Sequence, residues 1–301
     1  MMLKIAYHPI YRHSLPEGHR FPMIKYELLP KQLLHEGTCV TENFFEPDIL
    51  EDVHVLRCHA IEYIQELKSL SIPAKAARKI GFPLSEILVL REFIIADGTI
   101  KGCEHAIQHG IAMNIAGGTH HAYSNRGEAF CMLNDQAIGA RYLQHQNLAN
   151  KILILDLDVH QGNGTAEIFE GDDSVFTFSM HGKANYPFKK EVSDLDIALE
   201  TNTTDTEYLT ILKNTLPKLI EEQQPDFIFY LSGVDILSSD KLGKLSCTLE
   251  GCKERDRFVL QTCKDSKIPI QCSMGGGYSP EIKTIIEAHA NTYRLAQEIY
   301  F

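Results

Sequence analysis

The chain has 301 residues, 44% of them hydrophobic and 23% charged, the balance of an ordinary globular protein. Its formal net charge of −11, from 29 Lys and Arg against 40 Asp and Glu, argues against a nucleic-acid partner and is compatible with cationic substrates. No run approaches the ~18 apolar residues of a membrane span and the N-terminus lacks an apolar signal core, so no membrane partner is expected. Eight cysteines are scattered without a CxxC pair. They read as reduced, buried small hydrophobes of a cytoplasmic protein.

Short apolar runs alternate with helical patterns. In chain order the spacing predicts a strand at 4–7, helices at 23–35, 60–70 and 103–110, a strand at 113–115 and a helix at 134–145. Strands at 152–155 and 175–179 follow, then a helix at 206–222, a strand at 227–231, a helix at 249–266 and a strand at 268–272. Pro280 is placed in the first turn of a final helix running towards Tyr300. This alternation implies an α/β fold with right-handed crossovers and a parallel sheet covered by helices. No repeat, low-complexity tract or Pro/Ser-rich linker divides the chain, so one domain over 1–301 is expected.

Polar residues suited to chemistry cluster at the ends of these strands. "AMNIAGGTHHA" delivers His120 and His121, "ILILDLDVH" delivers Asp156, Asp158 and His160, "FIFYLSGVD" delivers Asp235, and "IPIQCSMGGGY" delivers Tyr278. Ligands of open parallel sheets bind outside the carboxyl ends of the strands, so four segments point at one rim. On an extended backbone Asp156, Asp158 and His160 project to one side. Carboxylates that close together call for a cation among them.

Asp158 and His160, with Asp235 from another strand end, give three protein ligands and an open fourth position, the arrangement of a catalytic zinc. In isolation, Asp156 and Asp158 could cap a helix and His160 could be a core histidine; the convergence of strand ends favours the metal. A metal-activated water needs a base and a departing amine needs a proton, both suited to His120 and His121. Tyr278 follows three glycines, and its phenol can donate to a developing oxyanion. Phe130 and Tyr186 are loop aromatics that could wall an apolar slot. "GNG" at 162–164 lacks the phosphate-loop pattern and reads as a turn into a helix, with Asn163 aimed back at the site.

With these residues in place, the sequence resembles the histone deacetylase family, nearest its class IV branch and the bacterial relatives. "HRFPMIKYELL", "AGGTHHA", "DLDVHQGNGT", "FTFSMHG", "NYPF", "SGVD", "DKLGKLSCTLEG" and "MGGGY" occur in family order over nearly the whole chain. The resemblance implies a three-layer αβα arrangement with a mainly parallel sheet, the arginase/deacetylase fold. It makes Asp158, His160 and Asp235 the ligands of one Zn²⁺, His120 and His121 the tandem histidines, and Tyr278 the partner of zinc at the scissile carbonyl. Phe130 and Tyr186 fall on the walls of the acyl-lysine tunnel and Gly276 on its lining. A structural K⁺ would be held by backbone oxygens of Asp156, His160, Ser179 and Met180 with the Asp156 and Asp158 side chains.

Two positions depart from the class I pattern. Asp156 backs one tandem histidine, but the other has Asn163, as in class IV, and Ala129 stands where glycine is usual. The implied activity is zinc-dependent removal of an acyl group from a lysine ε-amine in a protein or peptide; an acylated polyamine or small amine is the alternative. A binuclear manganese ureohydrolase of the same fold would need more carboxylates, whereas Gly162 stands two residues after His160 and Asp235 has no Asp two residues away. An inactive acyl-lysine binder would have no use for the tyrosine and the base.

Overall fold

A single sheet built from buried apolar runs organises the chain in the computed structural model, which describes residues 2–301. Its strands are β1 (Lys4–Ala6), β2 (Phe44–Phe45), β3 (Ile111–Asn114), β4 (Ile152–Asp156), β5 (Val175–Gly182), β6 (Leu195–Leu199), β7 (Phe227–Leu231) and β8 (Ile270–Ser273). They run in the order β2-β1-β3-β8-β7-β4-β5-β6, and every neighbouring pair is parallel. β3, β4, β7 and β8 are buried at every position, which is why they read as continuous apolar runs without alternation.

The helices are α1 (Lys25–His35), α2 (Asp52–Val55), α3 (Ile61–Lys68), α4 (Ala74–Ile80), α5 (Glu86–His109), α6 (Asp135–His145), α7 (Asn163–Ile168), α8 (Asp205–Gln223), α9 (Leu249–Asp265) and α10 (Ile282–Tyr300). α8, α9, α10 and α1 pack one on the next, while α5 packs against α6, α3 and the strands β1, β3 and β8. Adjacent residues of β7 show the layering: Phe229 lies against Gly139 of α6, and the Tyr230 hydroxyl donates to Asp256 of α9. The α/β class and parallel sheet expected from sequence are therefore present.

Three differences have physical causes. The edge strands β2 and β6 are absent from the sequence reading: β2 has two residues, and β6 alternates buried with exposed positions around Asp196. α5 is 24 residues long, whereas only its last turns are expected; from Leu88 to Cys103 it is buried almost all round and so lacks the polar stripe that marks a surface helix. Pro280 precedes the Glu281 cap of α10 instead of sitting in its first turn.

One buried cation holds the middle of the sheet to its helical layer. Arg255 of α9 is fully buried and donates to the Leu157 carbonyl at 3.2 Å and the Gly233 carbonyl at 2.6 Å, the chain just past β4 and β7. Its Nε donates to Asp256 at 2.8 Å, and Asp256 also accepts from Thr292 of α10 at 2.7 Å. Removing the guanidinium leaves Asp256 and two carbonyls short of donors in a dry interior. Arg255→Met is expected to lower the unfolding free energy by roughly 3–5 kcal/mol. Urea denaturation checks this, and an unmoved midpoint would show the tie to be dispensable.

Candidate active site

The chain is extended only to Asp156; residues 157–160 then bend. Asp156 accepts the N–H of Asp158 at 3.1 Å, and Asp158 accepts that of His160 at 3.0 Å. The side chains thus reach one site through successive turns in which each aspartate holds the N–H two residues on, not through strand pleating alone. Asp235 arrives from the loop after β7 and accepts the Val159 N–H at 2.9 Å.

Asp158, His160 and Asp235 are all buried, and each offers one ligand atom within 4.8 Å of the others. His160 turns its Nδ1 to both carboxylates, 2.9 Å from Asp158 and 3.2 Å from Asp235. Although burial opposes it, the two carboxylates push the His160 pKa up to about 10. Asp235 is pushed up to about 7, by burial and then by the Asp158 charge. Its Oδ2 is the atom that faces His160 Nδ1 at 3.2 Å, without a well-aligned hydrogen bond. Gly276 closes this cradle. Its N–H donates to Asp158 at 2.8 Å, and a Cβ there would lie 2.1 Å from Asp235 Oδ2, so only glycine fits.

The tandem histidines have unlike partners. His120 Nδ1 lies 2.6 Å from Asp156, and His121 Nδ1 lies 2.6 Å from the Asn163 side-chain oxygen. Burial disfavours charge on His120, but Asp156 outweighs it and raises the pKa. Burial, with His120 and His160 nearby, holds His121 well below the usual imidazole range. His121 is therefore the neutral ring of the pair. Asn163 is itself fixed by donating to the Tyr123 hydroxyl at 2.8 Å.

A cavity of about 770 Å³ opens above these groups, with Phe130 and Tyr186 on its walls and His121, His160, Asn163 and Tyr278 at its inner end. The His121 and Tyr186 rings meet edge to face at 5.0 Å. The Tyr278 N–H donates to Asp240 at 2.6 Å, anchoring the tyrosine loop to the segment after Asp235. Gly276 faces a smaller inner cavity instead of the outer one. Asp156 and Ser179 are register partners on β4 and β5, with Met180 next along the strand.

Several residues of the site carry no assignment from sequence. Lys25 is fully buried, donates to the Gly275 carbonyl at 3.1 Å, and has its pKa lowered to about 8 by burial, against the charges of Asp235 and Asp158. A signal for it exists: Lys25, Leu29 and Leu33 share one buried helical face, where a lysine is out of place. Tyr123 offered no comparable signal, because Asn163 lies far along the chain; Asp240 holds the nearby Leu242 and Gly243 N–H groups as well as the remote Tyr278 N–H.

Two carboxylates and an imidazole that could hold a metal, two further histidines and a tyrosine thus converge beyond the carboxyl ends of a parallel sheet. The histone deacetylase domain matches residues 19–293, and the chain belongs to that family. It is 42% identical over 300 residues to an uncharacterized protein of Picosynechococcus, covering 100% of each chain. It is 30% identical over 293 residues to the acetoin utilization protein AcuC of Staphylococcus aureus, covering 89% of this chain and 75% of that one. A crystal structure of an HDAC homologue from Aquifex aeolicus superposes with a TM-score of 0.83 at 22% identity, over 97% of this chain and 83% of that one.

Ala129, the departure from the family's glycine, occupies the left-handed region at φ 43°, and Phe130 follows at φ 70°. The Cys131 N–H closes this turn on the Glu128 carbonyl at 2.8 Å. Two consecutive positive φ values make it the tight turn that favours glycine, so the usual glycine serves backbone conformation. A left-handed alanine costs about 1–2 kcal/mol, and glycine returns part of that through the unfolded state. Ala129→Gly is expected to stabilise the protein by roughly 0.5–1 kcal/mol, read as a higher denaturation midpoint. A lower midpoint would show that the alanine is unstrained.

Proposed function

We propose that this chain, as one catalytic domain over 1–301, is a zinc-dependent deacylase that hydrolyses the amide of an acylated lysine or related amine. The observation that carries the reading is the buried cradle of Asp158, His160 and Asp235 at the inner end of an aromatic-walled cavity, closed by a glycine whose Cβ would fill it. Two carboxylates and one imidazole suit a divalent transition metal, and Zn²⁺ is the ion we assign. A cation bound there supplies Lewis-acid activation of water and of the amide carbonyl. One metal fits better than two: a carboxylate two residues after His160 would replace Gly162, where a Cβ would lie 2.4 Å from Asp156 Oδ2. A K⁺ held by Asp156, Asp158, His160, Ser179 and Met180 would brace the ends of β4 and β5.

The chain's own groups divide the remaining work. Phe130 and Tyr186 confine the acyl-bearing side chain and exclude water. His121, kept neutral by burial and oriented by an uncharged amide, accepts the proton of the attacking water, and an imidazole of the pair then protonates the departing amine as its C–N bond breaks. His120, paired with Asp156, carries positive charge and stabilises the anionic transition state. The Tyr278 phenol donates to the developing oxyanion. Asn163 supports placement in the class IV branch. Eight unpaired, buried cysteines suit a reducing compartment, and we assign the protein to the cytoplasm.

Metal analysis with an acetyl-lysine peptide assay tests the reading. We expect one divalent transition metal per chain, lost together with activity in Asp235→Ala. Two such metals per chain, or full retention in that variant, would refute it. A further outcome concerns Tyr278: Tyr278→Phe is expected to keep the metal yet lose roughly 10²- to 10³-fold in kcat, with KM little changed. Near-normal turnover would reduce the phenol to a packing role.

A further inference from the structure

The mouth of the cavity carries a charge opposite to that of the whole chain. Arg20, Lys79, Arg126, Lys189 and Lys244 all line it, and only Glu128 and Glu191 oppose them. Three positive charges are thus in surplus at the opening of a protein whose formal net charge is −11.

Glu128 is taken up by two of these cations, and Glu191 is held by a neutral hydroxyl. Glu128 is buried beneath the rim and receives Lys79 at 3.3 Å, Arg126 at 3.2 Å and the Tyr186 hydroxyl at 2.6 Å. Glu191 accepts the Tyr123 hydroxyl at 3.2 Å. Arg20 lies over the Phe130 ring, 4.9 Å from its centroid, and Lys244 donates to the Ala184 carbonyl. Those contacts leave their charge facing the opening. Lys189 is exposed beside Phe188, which is 90% exposed and the most open large apolar side chain at the mouth.

From this rim, and resting on the deacylase reading above, we infer that the substrate is an acyl-lysine in a peptide segment whose flanking residues are acidic. Carboxylates beside the scissile amide would meet Arg20, Lys189 and Lys244, and an apolar neighbour would meet Phe188. The same field repels the further ammonium groups of an acylated polyamine, so that alternative is disfavoured. Clefts lined by one sign of charge concentrate ligands of the opposite sign, and the effect fades as salt screens it.

The test uses three acetyl-lysine peptides differing only in flanking residues, which are acidic, neutral or basic, together with an acetylated polyamine. Turnover and binding of fluorescently labelled peptides are both measured on the metal-loaded enzyme at low and high salt. The expected kcat/KM falls from acidic to neutral to basic, with roughly tenfold between the extremes at low salt, most of it lost at high salt. The acetylated polyamine ranks with the basic peptide. Lys189→Glu combined with Lys244→Glu should shrink or reverse the order, while the salt series on the unmodified enzyme decides the matter even if that variant misfolds. Turnover of all peptides with equal, salt-insensitive kcat/KM, or preference for the basic peptide or the polyamine, overturns the rim inference and leaves the deacylase reading intact. No turnover of any substrate, but binding ordered by charge, overturns the deacylase reading and upholds the rim.

Discussion

The position of the site depends on a single buried guanidinium. Arg255 grips the carbonyls of Leu157 and Gly233, one residue before Asp158 and two before Asp235. Two buried carboxylates are held close, with the backbone beneath each fixed to the same cation. Asp256 pairs with that cation and also accepts from Tyr230 and Thr292, tying α9, α10 and the middle of the sheet together. Burying such a pair is expensive in desolvation, and the geometry offsets it by satisfying the guanidinium with carbonyls as well as a carboxylate.

Around this anchor the loops are shaped mainly by aspartates that capture backbone N–H groups. Asp156, Asp158 and Asp235 hold the turn from β4. Asp240 holds the N–H groups of Leu242, Gly243 and Tyr278, joining the segment after Asp235 to the glycine loop. The same residue type therefore supplies candidate ligands and the scaffold that aims them. An apolar replacement at any of these positions would remove a turn along with a charge.

Much of the site was legible because its chemistry is concentrated in short local patterns. Asp156, Asp158 and His160 stand two apart, His120 and His121 are adjacent, and Tyr278 follows its glycines directly. The reason for their convergence was only partly legible: strand alternation suggested a shared face, and the actual cause is a run of side-chain-supported turns. Lys25 stands out on its buried helical face, but its partner Gly275 is 250 positions away, and Tyr123 and Arg255 likewise hold groups remote in sequence. The earlier turns of α5 and the edge strands are not legible, for opposite reasons. The former are too uniformly buried to show a polar face, and the latter are too short or too exposed to show an apolar run.

The separation in sequence of the groups that meet at the cradle has a kinetic consequence. Asp158 and the Gly276 N–H are 118 positions apart, and Val159 and Asp235 are 76 apart. Parallel pairing across such distances requires large loops to close before any contact compensates for the lost chain entropy. The geometry of the cradle therefore depends on β4, β7 and β8 being aligned side by side. A chain that stops before β8 carries Asp158, His160 and Asp235 but not the glycine loop whose Gly276 N–H holds Asp158, so the cradle is complete only with the last strand of the sheet.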